Sequence, residues 1–189
     1  MKRTLSRYLK PDHYCAALDD LDFDALFKDG YRLVLIDVDN TLARHGSFQA
    51  DDYALSVVKQ AAAAGLACRI VSNAGPKRIQ SFAQTLGIPY IAWAKKPSIR
   101  AVLKACKDAG VAPQNSVMIG DQILTDVLCA QRAGCMSILV YPRSSKEALH
   151  IRFKRFIEKL VFWRYKLKFD RPLRERLAHK THKERPQRH

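Results

Sequence analysis

Long apolar runs are absent from this sequence of 189 residues. No stretch approaches the roughly 20 residues that a bilayer-spanning helix requires. The basic N-terminus is not followed by the apolar core of a secretion signal. We therefore expect a cytoplasmic protein, with any membrane contact peripheral and at the inner face of the membrane.

Cysteines are few and scattered. The five occur at positions 15, 68, 106, 129 and 135, without a Cys-x-x-Cys pair or a cluster of histidines. This spacing argues against a disulfide framework and against a zinc site. Cys68 and Cys129 lie among apolar residues, so we predict that both are small side chains of the core.

Glutamate is absent from residues 1–142, where all 13 acidic residues are aspartate. This region carries 17 lysine and arginine residues, whereas residues 143–189 carry 16 against only five acids. The net charge of +15 is therefore concentrated in the last quarter of the chain. We predict a core domain over residues 1–142, a basic amphipathic helix over 143–169 and a disordered basic tail over 170–189.

Strand and helix patterns alternate between residues 31 and 142. Each predicted helix stops at a glycine, the residue that most readily takes the left-handed conformation of a helix C-terminus. Pro76 and Pro97 lie where helices are expected to begin. This order predicts an α/β fold, a doubly wound Rossmann-like parallel sheet with helices on both faces. The predicted strands are 33–37, 66–71, 89–93, 116–120 and 136–140, and the predicted helices are 51–64, 76–86, 97–109 and 122–133.

The most informative stretch is Asp-Val-Asp-Asn-Thr at residues 37–41, directly after the apolar run 33–36. Four branched apolar residues predict a strand buried on both faces. The acids then lie at its carboxyl end, where open α/β sheets bind ligands. Because residues two apart on an extended segment point the same way, Asp37 and Asp39 face one crevice. The pair alone is compatible with a cation site, an acid–base pair or a solvated turn.

Three later strand ends also carry polar residues. Ser72 and Asn73 follow the second predicted strand, Lys96 follows the third, and Asp121 follows the fourth, with Asp126 five residues beyond. Singly, these residues are common in turns, on solvated surfaces and at helix caps. Their joint occurrence at successive strand ends instead predicts a site at one edge of the sheet.

A hydroxyl, an ammonium and several carboxylates at one edge can hold a phosphate together with Mg²⁺. Mg²⁺ prefers oxygen ligands and is often bound by one or two carboxylates plus a substrate phosphate. Asp37 and Asp121 are the natural pair of metal ligands, and Ser72 and Lys96 are suited to phosphate oxygens.

Taken together, these motifs resemble those of the haloacid dehalogenase (HAD) superfamily of phosphohydrolases, subfamily IIIA. The resemblance covers roughly residues 8–165. More narrowly, the sequence is similar to the YqeG-type phosphatases, a capless subgroup related to phosphatidylglycerophosphate phosphatases. The matching segments are Ile36-Asp37-Val38-Asp39-Asn40-Thr41-Leu42, Val71-Ser72-Asn73, Lys96-Pro97 and Ile119-Gly120-Asp121-Gln122 with Thr125-Asp126.

The resemblance implies a role for each motif residue. Asp37 would be the nucleophile and form an aspartyl-phosphate, while Asp39 would act first as acid and then as base. Mg²⁺ would be bound by Asp37, Asp121 and the main-chain carbonyl of Asp39. The remaining roles are phosphate binding by Ser72 and Lys96 with Asn73 lining the site, bracing of the nucleophile loop by Thr41, and orientation of Lys96 or of a metal-bound water by Asp126.

The spacing between the motifs leaves no room for a cap domain. Thirty residues separate Thr41 from Ser72 and 23 separate Ser72 from Lys96, and a helix and a strand occupy each interval. A site without a cap domain can accept a phosphate group that is attached to a large molecule. We interpret the chain as a phosphatase with a lipid head group as substrate, phosphatidylglycerophosphate first. The alternatives are a phosphatase on nucleic-acid ends or other phosphate monoesters, and a non-catalytic RNA- or ribosome-associated protein.

Residues 145–169 bear on this choice. An apolar stripe at helical spacing is typical of a helix packed on the core. The cations and aromatic residues around it equally suit an anionic membrane surface, and a basic tail also suits RNA. The stripe consists of Leu149, Phe153, Phe156, Leu160, Trp163 and Leu167.

Overall fold

A computed structural model describes residues 8–143 as one six-stranded sheet with helices on both faces. The strands are β1 (His13–Cys15), β2 (Leu33–Ile36), β3 (Ala67–Val71), β4 (Tyr90–Ile91), β5 (Ser116–Gly120) and β6 (Met136–Val140). Their order across the sheet is β1-β6-β5-β2-β3-β4, and every pairing is parallel. The predicted α/β fold is therefore confirmed.

The helices connect the strands and end largely as predicted. They are α1 (Phe23–Lys28), α2 (Asp52–Ala63), α3 (Pro76–Leu86), α4 (Arg100–Ala109) and α5 (Leu128–Ala133). Gly87, Gly110 and Gly134 end α3, α4 and α5 with φ of 66°, 66° and 83°. Pro76 is the first residue of α3, as predicted.

Strand β2 lies in the centre of the sheet, and all four of its residues are buried. Val34 and Ile36 pack into a core shared with α1, α2 and α3. Leu33 and Leu35 point to the opposite face, into a core shared with α4 and α5. Burial on both faces accounts for the continuous apolar run that the sequence shows there.

The structure differs from the prediction at four elements. Strand β1 and helix α1 were not predicted, because each is short and β1 has only one fully buried residue, Cys15. Helix α4 begins at Arg100, not at Pro97, because residues 95–98 form a turn in which the Ser98 N–H donates to the Lys95 carbonyl. The predicted helix 122–133 is a π-helical turn (Ile123–Val127) followed by α5.

The connections between the strands carry no inserted domain between Thr41 and Lys96, so the predicted absence of a cap holds for that range. Within residues 8–143, no helix has the length and apolar character needed to cross a bilayer. The predicted amphipathic helix and the basic tail lie outside the described residues, apart from Arg143.

Candidate active site

The loop after β2 is a tight turn that fixes the first acidic residue. The N–H of Asp37 donates to the Ile119 carbonyl of β5 at 3.0 Å, so the carboxylate leaves the sheet at its carboxyl edge. The Val38 carbonyl accepts from the N–H of Ala43 at 2.9 Å and closes the turn. Asn40 takes a φ of 58°, a left-handed conformation that asparagine adopts more readily than most residues.

Arg143 holds this loop from the opposite side. Its N–H donates to the Asn40 carbonyl at 2.9 Å and its guanidinium donates to the Leu42 carbonyl. The same guanidinium pairs with Asp51 at 2.9 Å and lies over the ring of Tyr53, 4.1 Å from its centroid. Arg143, the residue that directly follows the predicted core domain, thus contacts that core.

Lys96 lies between two buried carboxylates. Its Nζ is 2.8 Å from Oδ1 of Asp37 and 2.6 Å from Oδ1 of Asp126. Burial acts to lower the pKa of Lys96, but the charges of Asp126 and Asp37 outweigh it and raise the pKa above its ordinary value. For Asp37, burial dominates over the attraction of Lys96 and raises the pKa to about 6. The two carboxylates therefore favour the charged form of Lys96, whereas burial makes Asp37 hold its proton more readily than an exposed aspartate.

Asp126 reaches this position through the π-helical turn. Its Oδ2 accepts from the N–H of Gln122 at 3.1 Å, and the carboxylate folds back over the end of β5. A Cβ atom at residue 120 would overlap that carboxylate. Only glycine at position 120 leaves room for the approach.

A third carboxylate joins this group. Asp37, Asp121 and Asp126 each offer an oxygen atom, and these atoms lie within 4.8 Å of one another. In the described part of the chain, the buried charged side chains are these three and Lys96, which gives a formal charge of −2. An all-oxygen donor set with this charge fits a hard divalent cation such as Mg²⁺. The Asp126 carboxylate thus lies beside the predicted ligands Asp37 and Asp121, and it is paired with Lys96 at 2.6 Å.

Ser72 and Asn73 follow β3 on the other side of Lys96. The Asn73 amide brackets Lys96, because its Oδ1 accepts from the Lys96 N–H at 2.7 Å and its Nδ2 donates to the Lys96 carbonyl at 3.2 Å. Ser72 is buried, and its Oγ accepts from the Ala74 N–H at 3.2 Å. The Ser72 hydroxyl hydrogen therefore stays available as a donor, whereas the Asn73 amide positions Lys96.

Asp39 has different surroundings from Asp37. Arg78, in the first turn of α3, donates from NH1 to Oδ1 of Asp39 at 3.0 Å and from NH2 to Oδ2. The Gly46 N–H also donates to Oδ1 at 2.9 Å, and Nδ1 of His45 lies 3.2 Å from the same oxygen. The protein itself thus supplies a counter-charge for Asp39.

A cavity of about 250 Å³ joins these groups at the carboxyl edge of the sheet. Five of the predicted site residues line it, namely Asp37, Asp39, Ser72, Asn73 and Lys96. Thr41 does not, since it lines a separate cavity with Tyr53 and Arg143. Its N–H braces the Val38 carbonyl at 3.2 Å, but its buried Oγ1 has no hydrogen-bond partner among the described residues.

Two comparisons with known sequences agree on the family. Residues 93–155 match a family model described as HAD-hydrolase-like. Over 157 residues the chain is 31% identical to the probable phosphatase YqeG of Bacillus subtilis (strain 168). The aligned region covers 83% of this chain and 91% of that protein. The chain belongs to the YqeG family of phosphatases in the HAD superfamily.

One solved structure shows the same fold. An uncharacterized protein from Listeria monocytogenes serotype 4b aligns with a TM-score of 0.50 and 16% identity, over 62% of this chain and 85% of that one. A cobalt-bound deoxy-D-mannose-octulosonate 8-phosphate phosphatase from Haemophilus influenzae aligns with a TM-score of 0.47 and 16% identity, over 74% and 90%. At 16% identity, the first likeness bears on the fold alone.

Sequence reasoning missed two cations of this YqeG-family site, Arg78 and Arg143. A signal for Arg78 was present, because α3 starts at the sheet edge that carries Ser72 and Arg78 is in its first turn. His45 and Gly46 follow the first motif by a few residues in the sequence. In the structure both lie against the Asp39 carboxylate.

Proposed function

We propose that this YqeG-family protein is a Mg²⁺-dependent phosphomonoester hydrolase that works through an aspartyl-phosphate. The observation that carries the proposal is the buried group of Asp37, Lys96, Asp121 and Asp126 beside an open cavity. Three carboxylates and one ammonium form a site for a divalent cation, and the cavity next to it also exposes a hydroxyl donor and a second acid. This combination suits the transfer of a phosphoryl group to a carboxylate.

The two acids divide the chemistry. An oxygen of Asp37 attacks phosphorus, so an O–P bond forms to the enzyme and the bond to the leaving oxygen breaks. Asp39 gives its proton to that leaving oxygen and then removes a proton from the water that attacks the aspartyl-phosphate. The second step releases inorganic phosphate and restores the Asp37 carboxylate.

The other residues hold the phosphate. Ser72 has its hydroxyl hydrogen available for a phosphate oxygen, and Lys96 supplies a fixed positive charge that Asn73 positions. Mg²⁺, when bound by Asp37, Asp121 and the Asp39 carbonyl, would neutralise charge between the nucleophile and the phosphate. Asp126 would hold Lys96, with which it is paired at 2.6 Å.

We further propose phosphatidylglycerophosphate as the substrate, reached at an anionic membrane surface. Three features support this: the relation of the subgroup to phosphatidylglycerophosphate phosphatases, the absence of a cap between Thr41 and Lys96, and the basic segment that follows Arg143. That segment, residues 144–189, has 15 lysine and arginine residues against five acids, and it follows Arg143, whose N–H donates to the Asn40 carbonyl. Each basic residue near an anionic surface adds roughly 1 kcal/mol of attraction.

The test is phosphate release from phosphatidylglycerophosphate in mixed micelles with Mg²⁺. We expect turnover by the wild type and none above background by Asp37→Asn. Asp108→Asn is the matched control, because this exposed acid on α4 pairs with Lys104 away from the cavity. No release from the lipid, with release from p-nitrophenyl phosphate, would refute the lipid substrate and leave the phosphatase.

A parallel screen separates the remaining substrates. Oligonucleotides with 3′- or 5′-terminal phosphates, nucleotides and sugar phosphates are assayed under the same conditions. Turnover of an oligonucleotide above that of the lipid would favour the nucleic-acid alternative. Salt-sensitive RNA binding without turnover of any ester would favour a non-catalytic binding protein.

A further inference from the structure

Asp39 and Arg78 form a two-pronged ion pair at the wall of the cavity. NH1 of Arg78 donates to Oδ1 of Asp39 and NH2 donates to Oδ2. Their side chains are only 14% and 17% exposed, so the pair is shielded from the screening that weakens ordinary surface ion pairs. Such a fork fixes the orientation of a carboxylate as well as its charge.

Arg78 is itself held in place. NH1 also donates to the Ser47 carbonyl at 3.2 Å, which ties the first turn of α3 to the loop between β2 and α2. Both of its terminal nitrogens are thus engaged on Asp39 or on that loop. The geometry is that of a support for Asp39, and it leaves phosphate binding to Ser72 and Lys96.

The two oxygens of Asp39 are held unequally. Oδ1 accepts from the N–H of Gly46 and from NH1 of Arg78 and has His45 at 3.2 Å, whereas among residues 8–143 only NH2 of Arg78 donates to Oδ2. If a proton is carried on Oδ2, the contacts at Oδ1 still anchor the carboxyl group. Oδ2 is therefore the oxygen suited to give up and take back a proton.

We infer that Arg78 is a positioning residue for proton transfer, which aims Oδ2 of Asp39 at the leaving oxygen while Oδ1 stays anchored. The inference rests on the proposed function, since it concerns the acid–base role of Asp39. It makes a prediction that direct phosphate binding does not. Loss of Arg78 harms those substrates whose leaving group needs a proton and spares those whose leaving group does not.

The experiment compares two esters with the same phosphate, phenyl phosphate and p-nitrophenyl phosphate. Phenolate needs a proton to leave far more than p-nitrophenolate does. For Arg78→Ala, we expect kcat/KM to fall about 10- to 100-fold on phenyl phosphate and no more than about threefold on p-nitrophenyl phosphate. Asp39→Asn should give the same selectivity in kcat/KM with a larger amplitude, whereas its kcat should fall on both esters because hydrolysis of the shared aspartyl-phosphate loses its base.

Two further variants complete the set. Lys77→Ala removes an exposed cation from the same turn of α3 and should change neither value by more than about twofold. Arg78→Lys keeps the charge but lacks the fork, so it should show the same selectivity as Arg78→Ala. It also serves as the conservative variant if alanine at position 78 reduces the amount of folded protein, judged by its thermal melt.

The outcomes separate this inference from the proposed function. Equal losses on both esters would overturn the inference, because they indicate that Arg78 binds the phosphate that both esters share. Losses in Lys77→Ala as large as those in Arg78→Ala would overturn it as well, since they indicate a general effect of charge. No turnover of either ester by the wild type would overturn the proposed function, and this inference with it.

Discussion

Asp37 and Asp39 are two residues apart at the end of one strand, yet their surroundings are opposite. Asp37 is buried among two further carboxylates with a single ammonium, and burial raises its pKa to about 6. Asp39 is partly exposed and is matched by the fork of Arg78. The protein neutralises Asp39 with its own side chain, whereas it leaves negative charge around Asp37 for a cation to neutralise.

The two acids that follow β2 therefore lie in surroundings that suit different roles. A carboxylate in a buried, net negative group attracts a metal ion and is a suitable nucleophile once its charge is offset. A carboxylate held by a cation at the cavity wall keeps a fixed direction without a metal. A substitution at one of the two acids should therefore leave the role of the other acid measurable.

The largest effect should come from replacing the acids themselves. Asp37→Asn should lower turnover of p-nitrophenyl phosphate by about 10⁴-fold or more, and Asp39→Asn by about 10²- to 10⁴-fold. After an acid quench, intact-mass measurement should detect a phosphorylated enzyme for Asp39→Asn, because its second step lacks a base. Phosphorylated Asp37→Asn would contradict the assignment of the nucleophile.

Metal binding should depend on the group around Asp37 and not on the Asp39 side chain. With Mg²⁺ at 100 times its Kd, binding to the folded state adds about 2.7 kcal/mol to the free energy of unfolding. This gain, measured as a rise in Tm, should disappear in Asp121→Asn and persist in Asp39→Asn. If Asp39→Asn lost it to the same extent, the contrast between the two acids would be wrong.

The close approach of Asp126 to Gly120 gives a smaller effect. Gly120→Ala must displace the Asp126 carboxylate, and forcing an extra carbon into a packed site costs roughly 1–3 kcal/mol of unfolding free energy. Urea denaturation measures this cost. Gly75→Ala is the control, since a Cβ there meets only the exposed ring of Trp93, which has space to turn. Equal losses in the two variants would contradict the expectation.

The smallest effect is on the pH dependence of stability without metal. Burial raises the pKa of Asp37 from 3.8 to about 6 in the folded protein, so the stability tied to its neutral form is lost as pH rises through 6. In EDTA, the Tm of Asp37→Asn should gain on that of the wild type as pH rises from 3.8 to about 6, the window that the two pKa values set.

Asp51→Asn provides the opposite sign as a control. Although burial acts to raise the pKa of Asp51, the hydrogen bonds from Arg143 and the Ala54 N–H lower it below its ordinary value. The wild type should therefore lose stability relative to Asp51→Asn as pH falls into the acid range. A constant Tm difference between Asp37→Asn and the wild type from pH 3.8 to about 6 would contradict the burial effect.

The sheet and its polar edge were predictable because strand ends are local features. Asp37, Ser72, Lys96 and Asp121 each follow an apolar run, and parallel strands bring such ends to one edge. The partners of these residues were not predictable in the same way. Arg78 reaches Asp39 from a helix 39 positions away in sequence, and nothing in the pattern of α3 shows which of its cations faces the cavity.

The positions of Asp126 and Arg143 depend on irregular local structure that the sequence pattern does not show. Asp126 lies in a π-helical turn, and a regular helix pattern over residues 122–133 does not indicate that its carboxylate returns to Gly120. The charge pattern alone placed Arg143 in the basic segment. Its contacts with Asn40 and Leu42 could not be predicted from the sequence, because they depend on where β6 ends. Composition shows where the net charge of the chain changes, but side-chain packing determines which residues contact the core.

The position of Arg143 has a mechanical consequence. It is joined to the nucleophile loop at the Asn40 and Leu42 carbonyls and to the start of α2 at Asp51. Because Arg143 follows the end of β6 by only three residues, tension applied at Arg143 is shared between β6 and the loop that carries Asp37 and Asp39.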